Sequence, residues 1–348
     1  MKTVPITSIC SIRTGKLDSN SFDDKGIYPF FTCAPEPLRI NEYAFDDDVI
    51  LLAGNNAGGN FHCTRYSGKF NAYQRTYVLK PHNIYDINYV YYSLLLQLEL
   101  LKKYSAGSQT KFLTMKILKN IQIADISLNE QLKISKALTL LDKQIVKNNA
   151  MVQKLQVLAH TTFDYFSKNN TKSNFVVLND ILVEKDKSKI QVSNVQDASG
   201  FIPFFTSGDT ILYTNKKLQT GFNIFLSTGG NAKVQAYYGD VAYSTDTWCI
   251  TAKNNLQFYL FGYLKHIESQ MNKLYFHGTG LKHLQKPIFL KSTISIPNED
   301  LLMKYNTIVE PIYHQISKIE QSTIQLQCLK NKLLPLLINQ QLVQKNPI

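Results

Sequence analysis

Two regions of this sequence hold side chains that can form specific polar contacts with a large anionic partner. Arginine and glutamine can each make two hydrogen bonds to one flat partner, such as the edge of a nucleic-acid base, whereas lysine more often meets a phosphate. The first region has its candidates on a predicted hairpin and in the loop after the next helix: Lys69, Tyr73, Gln74, Arg75, Ser108, Gln109 and Lys111. The second region has candidates at similar places: Lys233, Gln235, Tyr243, His277, Thr279 and Lys282. An ordinary solvated surface position is the alternative for each residue.

The two regions belong to an internal repeat with an offset of 171 residues. Gly58-Gly59-Asn60 recurs as Gly229-Gly230-Asn231, and further windows along the chain keep the same offset without a gap. Pro-Phe-Phe-Thr at 29–32 recurs at 203–206, where three extra residues have entered. A period this long is not that of a solenoid, so each copy is predicted to be a domain with an appended element.

Composition and charge narrow the class of protein. The 348 residues carry a formal net charge of +12 that is spread along the chain, and a basic protein of this kind most often meets nucleic acid. The 44% hydrophobic content is that of a folded protein. The five cysteines form no C-x-x-C pair, and no apolar stretch follows Lys2. We therefore expect a cytoplasmic protein without a membrane partner, cofactor or metal site.

Each copy is predicted to contain the same elements in the same order. A strand at 49–53 and a glycine-rich turn lead to Phe61–Arg65, a Ser67-Gly68 turn and a hairpin over Phe70–Leu79. Helices are predicted over Asn88–Lys103 and Phe258–Met271, followed by short strands at 121–126 and 294–296. A long helix begins at each Asn-Glu pair, at 129–130 and 298–299.

The two long helices carry matching apolar seams. Apolar residues spaced alternately by four and three run from Ile134 to Phe166, and again from Tyr305 to Leu337, which is the pattern of a coiled coil. Two copies related by an approximate two-fold axis would pack these helices antiparallel, with Asn148 on the seam fixing the register. Pro311 and Pro335 lie inside the second seam and predict a late start, a bend or an early end of that helix.

The chain resembles the DNA-specificity subunit of type I restriction–modification systems over essentially its whole length. The motifs that carry the resemblance are Gly-x-Tyr-Pro-Phe-Phe-Thr at 26–32, Gly-Lys-Phe-x-Ala-Tyr-Gln-Arg-Thr-Tyr-Val at 68–78 and Asn-Glu-Gln at 129–131. The resemblance implies an α+β fold with two target-recognition domains, at 1–129 and 171–298. They would alternate with helical spacers at 130–170 and 299–348, which form an antiparallel coiled coil. Asp246 replaces Arg75 in the second domain, which fits two domains that read different half-sites.

The same resemblance implies a non-catalytic subunit that binds a bipartite double-stranded DNA site. The chain holds no amino-methyltransferase motif, phosphate-binding loop or HExxH pair, which agrees with this expectation. Its implied protein partners are two methyltransferase subunits and, through the complex, restriction or translocase subunits. Apolar residues off the seam are the predicted contacts for these partners: Leu132, Leu140, Val157, Leu158, Leu329, Leu334 and Leu336.

Two other functions share this sequence pattern. One is the specificity subunit of a type IIB-like enzyme, in which a single partner both methylates and cleaves. The other is a stand-alone DNA-binding protein or a coiled-coil scaffold. In either DNA-binding case, a seam of roughly 50 Å would hold the domains about one to one and a half duplex turns apart.

Overall fold

The computed structural model describes residues 2–170, 174–195 and 200–339, and its contacts divide the chain into two compact units. Unit 1 comprises Met1–Lys143 with Leu329–Ile348, and unit 2 comprises Gln144–Cys328. Residues 171–173, where the predicted second domain starts, lie outside the described residues, as do residues 340–348 of the predicted C-terminal spacer. No helix in the described ranges is long and apolar enough to span a membrane.

The N-terminal part of unit 1 ends in a long helix, which continues into unit 2. In chain order its elements are β1 (Thr3–Pro5), α1 (Ile6–Ile9), β2 (Cys10–Thr14), β3 (Tyr28–Phe31), β4 (Leu38–Ile40), β5 (Phe45–Ala53), β6 (Asn55–Asn56), β7 (Cys63–Ala72), β8 (Thr76–Pro81), α2 (Ile87–Tyr104), β9 (Lys111–Phe112), α3 (Met115–Lys119), β10 (Gln122–Ala124) and the long helix α4 (Leu128–Lys168).

The elements of unit 2 repeat this order and end in a second long helix, which continues into unit 1. They are β11 (Asn174–Val177), α5 (Leu178–Ile181), β12 (Leu182–Glu184), a 3₁₀ turn (Val192–Asn194), β13 (Ile202–Phe205), β14 (Leu212–Thr214), β15 (Phe222–Ser227), β16 (Val234–Tyr238), β17 (Ala242–Tyr243), β18 (Thr247–Ala252), α6 (Gln257–Leu274), β19 (Phe276–His277), β20 (His283–Leu284), α7 (Lys286–Leu290), β21 (Thr293–Ile296) and α8 (Glu299–Ile338).

A mixed sheet organises unit 1, in the order β2-β8-β5-β7-β3-β4, with β3 and β7 parallel and the other neighbours antiparallel. Its central strand β5 is buried on both faces. Ile50 and Leu52 pack into the core formed with α2, whereas Val49 and Leu51 pack against a second cluster around Phe70. Successive side chains of this strand therefore pack into two different cores, because they point to opposite faces of the sheet.

Unit 2 builds the same arrangement from two smaller sheets, β12-β18-β15-β16 and β14-β13-β17. The strand equivalent to β7 is divided into β16 and β17 around Gly239, which has a φ of +146°. Ile224 and Leu226 face the larger core, and Phe225 stacks on Phe205 in the smaller one at a ring distance of 4.1 Å. The sequence repeat is thus also a repeat of strand order and of core organisation.

The hairpin predicted over Phe70–Leu79 is wrong. Strands β7 and β8 both pair with β5, on opposite sides of it, so they are not neighbours in the sheet. The predicted turn at Ser67-Gly68 is also wrong, because β7 continues through Gly68 in a left-handed conformation with a φ of +125°. The turn signal marked a local distortion within a strand, which glycine accommodates without a side-chain clash.

The offset between the two copies, which is 174 residues at the Pro-Phe-Phe-Thr motif, returns to 171 within the glycine-rich loop. Ala53 pairs with Thr76 in unit 1, and Ser227 pairs with Thr247 at the equivalent place in unit 2. The segment that follows runs over residues 54–60 in unit 1 but only 228–231 in unit 2. The loop of unit 2 is therefore the shorter one, which restores the 171-residue offset downstream.

The predicted helices are confirmed, and side-chain caps set the starts of three of them. Asp86 caps α2 by accepting a hydrogen bond from the backbone N–H of Tyr89 at 2.8 Å. Ser127 and Glu130 cap α4 reciprocally, since each side chain accepts from the other residue's N–H. Asn298 accepts from the N–H of Leu301 at the start of α8.

The predicted antiparallel coiled coil is confirmed within each unit. In unit 2, Asn148 donates to the hydroxyl of Thr323 at 3.0 Å, and Phe166 packs on Tyr305 at 5.6 Å, so the partner's number falls as the number along α4 rises. In unit 1, Asp142 and Lys330 form an ion pair at 2.6 Å. The buried Asn148–Thr323 hydrogen bond favours this register, because a shifted alignment would leave a polar group unpaired.

The two prolines of α8 neither delay nor end the helix, which runs unbroken from Glu299 to Ile338. Pro311 is exposed. Packing of both flanking segments offsets the hydrogen bond that each proline removes.

The carboxylic side chain of Glu320 on α8 lines a cavity of about 200 Å³ in unit 2, together with Tyr213, Tyr237 and Asn149. Burial raises the pKa of this carboxyl from an ordinary 4.5 to about 7. The folded chain therefore holds a proton that the unfolded chain releases near pH 4.5. As the pH rises from there to about 7, the free energy of unfolding falls, and it stays lower above that range.

Glu320→Gln should consequently stabilise the protein at high pH and not at low pH. A glutamine side chain cannot ionise, so we expect the free energy of unfolding of this variant, relative to the native protein, to rise by about 3 kcal/mol between pH 4 and pH 8. Denaturant unfolding at a series of pH values measures this. Glu310→Gln, an exposed change on the same helix, is the control. A stability difference that does not change with pH would contradict the assignment.

Candidate nucleic-acid interface

Three connecting segments of unit 1 meet where β5 ends and β8 begins, and we call them loop edge 1: residues 54–60, 73–75 and 105–113. The N–H of Gly54 donates to the carbonyl of Arg75 at 2.9 Å, and the N–H of Leu113 donates to the carbonyl of Gly54 at 2.8 Å. The short strands β6 and β9 pair antiparallel, which joins Asn56 to Lys111. Backbone hydrogen bonds therefore hold three segments that are distant in sequence side by side.

The glycine-rich loop of this edge is held by its own asparagine side chains. The carboxamide oxygen of Asn56 accepts from the N–H groups of Gly58 and Asn60, at 2.9 and 3.1 Å. Gly59 has a φ of +70°, and a Cβ there would lie 3.1 Å from a side-chain carbon of Lys111. Because Gly59 has no Cβ, the aliphatic part of the Lys111 side chain can lie across the loop.

Most of the predicted contact residues of unit 1 lie on loop edge 1. Gln74, Arg75, Ser108 and Gln109 are exposed, and Tyr73 and Lys111 are partly exposed. The amide of Gln74 donates to Asp18 at 2.7 Å, which holds its side chain in place.

Lys69 is separate from loop edge 1, since it pairs with Asp46 near the start of β5. Its ammonium lies 4.5 Å from the centre of the Tyr43 ring. The Tyr43 hydroxyl near this ammonium raises the pKa of Lys69. We therefore leave Lys69 outside the proposed base-reading group.

Unit 2 brings the equivalent segments together, and we call them loop edge 2: residues 228–231, 244–246 and 277–284. The N–H of Thr228 donates to the carbonyl of Asp246 at 3.2 Å, and the N–H of Leu284 donates to the carbonyl of Thr228 at 3.1 Å. The N–H of Gly230 donates to the carbonyl of Lys282 at 2.9 Å. The same backbone frame is thus built twice, with Asp246 at the place of Arg75.

Only three of the predicted contact residues of unit 2 lie on loop edge 2. His277, Thr279 and Lys282 are exposed on the edge, and Gln235 is partly exposed on β16. The ammonium of Lys233 forms an ion pair with the carboxylate of Asp209 at 2.9 Å, and this hydrogen bond lowers the pKa of Asp209. Tyr243 is only 1% exposed, burial raises its pKa to about 12, and its hydroxyl donates to the Asp186 carbonyl. We leave Tyr243 out of the proposed contact group.

Sequence reasoning missed Lys102 beside loop edge 1 and His283 on loop edge 2. Lys102 lies in the last turn of α2, and its ammonium donates to the side chain of Asn60 at 2.6 Å. His283 is exposed on β20, directly opposite His277. A cationic residue in the last turn before a loop was the available signal for Lys102. The pairing of the two histidines depends on a strand register that was not predicted.

The predicted partner contacts form two groups by exposure. Five are exposed on the outer faces of α4 and α8: Leu132, Leu140, Val157, Leu158 and Leu329. Leu334 and Leu336 are partly buried, and Leu334 packs against the core of unit 1. Met151 and Tyr165 are also exposed, each seven residues from Leu158, so the three lie on one stripe of α4.

The chain contains two copies of one α+β domain, and each copy has a long coiled-coil helix and a loop edge. This architecture defines the class of protein, and comparison with known proteins identifies the family. The chain belongs to the family described as the type I restriction modification DNA specificity domain, whose model matches residues 1–157 and again 170–327. The predicted family and α+β fold class are therefore confirmed. By the description of this family, the two matched regions are DNA specificity domains.

A curated relative and a solved structure illustrate what the chain is similar to. The type I restriction enzyme EcoDI specificity subunit of Escherichia coli is 38% identical over 154 residues, which are 44% of this chain and about a third (34%) of that relative. The crystal structure of a type I restriction–modification S subunit from M. genitalium matches with a TM-score of 0.69 and 16% identity. That match covers 97% of this chain and 96% of the other, and it supports the fold.

Proposed function

We propose that this chain recognises a bipartite double-stranded DNA site, with one half-site read by each loop edge, and that it docks methyltransferase subunits on its long helices. The observation that carries the proposal is that the same backbone hydrogen bonds join the three segments of each loop edge, whereas the side chains on the two edges differ. A repeated frame suits a ligand that is itself repetitive, and DNA presents equivalent grooves at regular intervals. The different side chains suit two different base sequences.

Charge on the two edges supports an anionic ligand. Lys102, Lys103 and Lys111 lie on or beside loop edge 1, and Lys273 and Lys282 lie at equivalent places in unit 2. Lysines of this kind position a protein on the phosphate backbone without reading sequence.

Arg75 and Asp246 are the side chains that we propose to distinguish the half-sites. Both are exposed or partly so, and the carbonyl of each is held by the N–H of the glycine-rich segment. An arginine can donate two hydrogen bonds to guanine, whereas a carboxylate can only accept, as from the amino group of cytosine. Opposite hydrogen-bonding roles at equivalent places favour two unlike half-sites.

The exposed apolar stripe on the helices supports docking of a protein partner. Leu158 on α4 and Leu329 on α8 are equivalent in the repeat, and they are 51% and 45% exposed. Apolar residues that a coiled coil leaves uncovered commonly bury against a third element. We propose that this element is a methyltransferase subunit, with one copy at each of the two repeat-related surfaces. Restriction or translocase subunits would then join through that complex.

Arg75→Ala and Lys111→Ala should separate base reading from phosphate binding. We expect Arg75→Ala to reduce the preference for the native site by about 1–3 kcal/mol, because a base contact is lost. We expect Lys111→Ala to weaken native and random duplexes alike, and to reduce by about one the slope of log K against log salt. Fluorescence anisotropy on both duplexes over a salt series measures these changes.

Lys133→Ala, an exposed change at the start of α4, serves as the control and should leave both quantities unchanged. Equal losses on native and random DNA for Arg75→Ala would refute its role in base reading.

A further inference from the structure

We propose that His160, Asp164 and His266 form a binding site for one divalent ion of the zinc, cobalt or nickel class, joining α4 to α6 within unit 2. The three residues offer two imidazole nitrogens and one carboxylate oxygen, all within 4.8 Å of one another. Two histidines with one carboxylate are a common ligand set for such ions. The proposal is independent of DNA recognition.

The donor atoms already lie close to coordination distances. Nδ1 of His266 is 3.0 Å from one carboxylate oxygen of Asp164, and Nε2 of His160 is 3.8 Å from the other. Ligands about 2.1 Å from a tetrahedral ion are roughly 3.4 Å apart, so small side-chain rotations suffice. His160 and Asp164 are one helical turn apart and share a face of α4.

Tight packing beneath the cluster holds the two helices in place. Phe163, only 2% exposed, lies between α4 and α6 and contacts the ring of Tyr259 at 5.1 Å. A Cβ on Gly262 would lie 2.4 Å from the Phe163 ring, so this glycine is what permits the helices to approach so closely. The ligand positions are therefore set by the core before any ion binds, which reduces the entropic cost of binding.

The exposure of the three side chains indicates the kind of site. His160, Asp164 and His266 are 46%, 31% and 51% exposed, so solvent can reach the ion. Three protein ligands would leave at least one position for water. Imidazole ligands favour zinc, cobalt and nickel over magnesium or calcium, which prefer oxygen.

The internal repeat makes the stoichiometry a strict test. Positions equivalent to His266, His160 and Asp164 in unit 1 are Leu95, Asn331 and Pro335. These residues provide no imidazole or carboxylate group. One ion per chain is expected, even though most of the architecture occurs twice.

Cobalt and zinc titrations of the full chain, after treatment with a chelator, test the proposal. We expect visible ligand-field bands that saturate at one equivalent of Co²⁺ and are displaced by Zn²⁺. Zn²⁺ at about 100 times its Kd should raise the unfolding midpoint by on the order of 5 °C. His266→Gln should weaken binding by more than about 100-fold, beyond the roughly 10- to 100-fold effect of losing an outer-sphere partner.

Asp164→Asn provides a second variant, and circular dichroism establishes that each variant is folded. His82→Gln, the same chemical change at an exposed position of unit 1, is the matched control and should bind as the native chain does. The proposal fails if the native chain binds no ion, if it binds two, or if His266→Gln binds normally. It also fails if changing His277 and His283, rather than His266, abolishes binding.

Discussion

Exchanging residues 171–298 for the equivalent domain of another family member should change one half of the DNA site and leave the other half intact. The structure favours this result because loop edge 2 lies within the exchanged segment, whereas loop edge 1 lies outside it. Each mismatched base pair costs about 1–3 kcal/mol, so a half-site of about three base pairs should alter affinity by at least about 100-fold. Mapping methylated positions in cells that carry the hybrid measures the change directly.

The reciprocal exchange of residues 1–129 is the matched control and should change only the other half-site. If either exchange altered both halves, the two edges would not read independently. If neither exchange altered the site, the bases would be read elsewhere on the chain. In either case the proposal of one half-site per loop edge would be abandoned.

Charged substitutions at Leu158 and Leu329 should remove the bound methyltransferase subunits. A glutamate at either position would place an unpaired charge in an apolar contact, which costs about 3 kcal/mol and weakens binding by on the order of 100-fold. Because the two residues are equivalent in the repeat, each single variant should retain one methyltransferase and the double variant none. Native mass spectrometry of the assembled complex counts the subunits.

Lys147→Glu with Lys318→Glu is the matched control, since these exposed residues of α4 and α8 are also equivalent in the repeat. The two single lysine variants and their combination should assemble with the native stoichiometry. A double Leu158 and Leu329 variant that still held two methyltransferases would refute docking on this stripe. A native complex with only one methyltransferase would refute the two equivalent surfaces.

The sequence by itself determined the repeat, the helices and the seam. These features depend on local periodicity and on capping residues: Ser127 with Glu130, and Asn298, lie where the long helices begin. The antiparallel pairing was also predicted from the sequence, because two repeat copies related by an approximate two-fold axis pack their equivalent helices antiparallel. Asn148, which was predicted to fix the register of the seam, donates a hydrogen bond to Thr323.

The tertiary structure decided which strands are neighbours and which side chains meet. The sequence predicted a hairpin over Phe70–Leu79, but β7 and β8 pair with opposite edges of β5, where each satisfies backbone hydrogen bonds of this central strand. The same long-range contacts place Arg75 beside Gly54, separate Lys69 from that group and bury Tyr243. They also bring His266 to Asp164, about 100 positions away along the chain. Residue types and spacing carry local preferences, whereas the meeting of distant side chains depends on how whole elements pack.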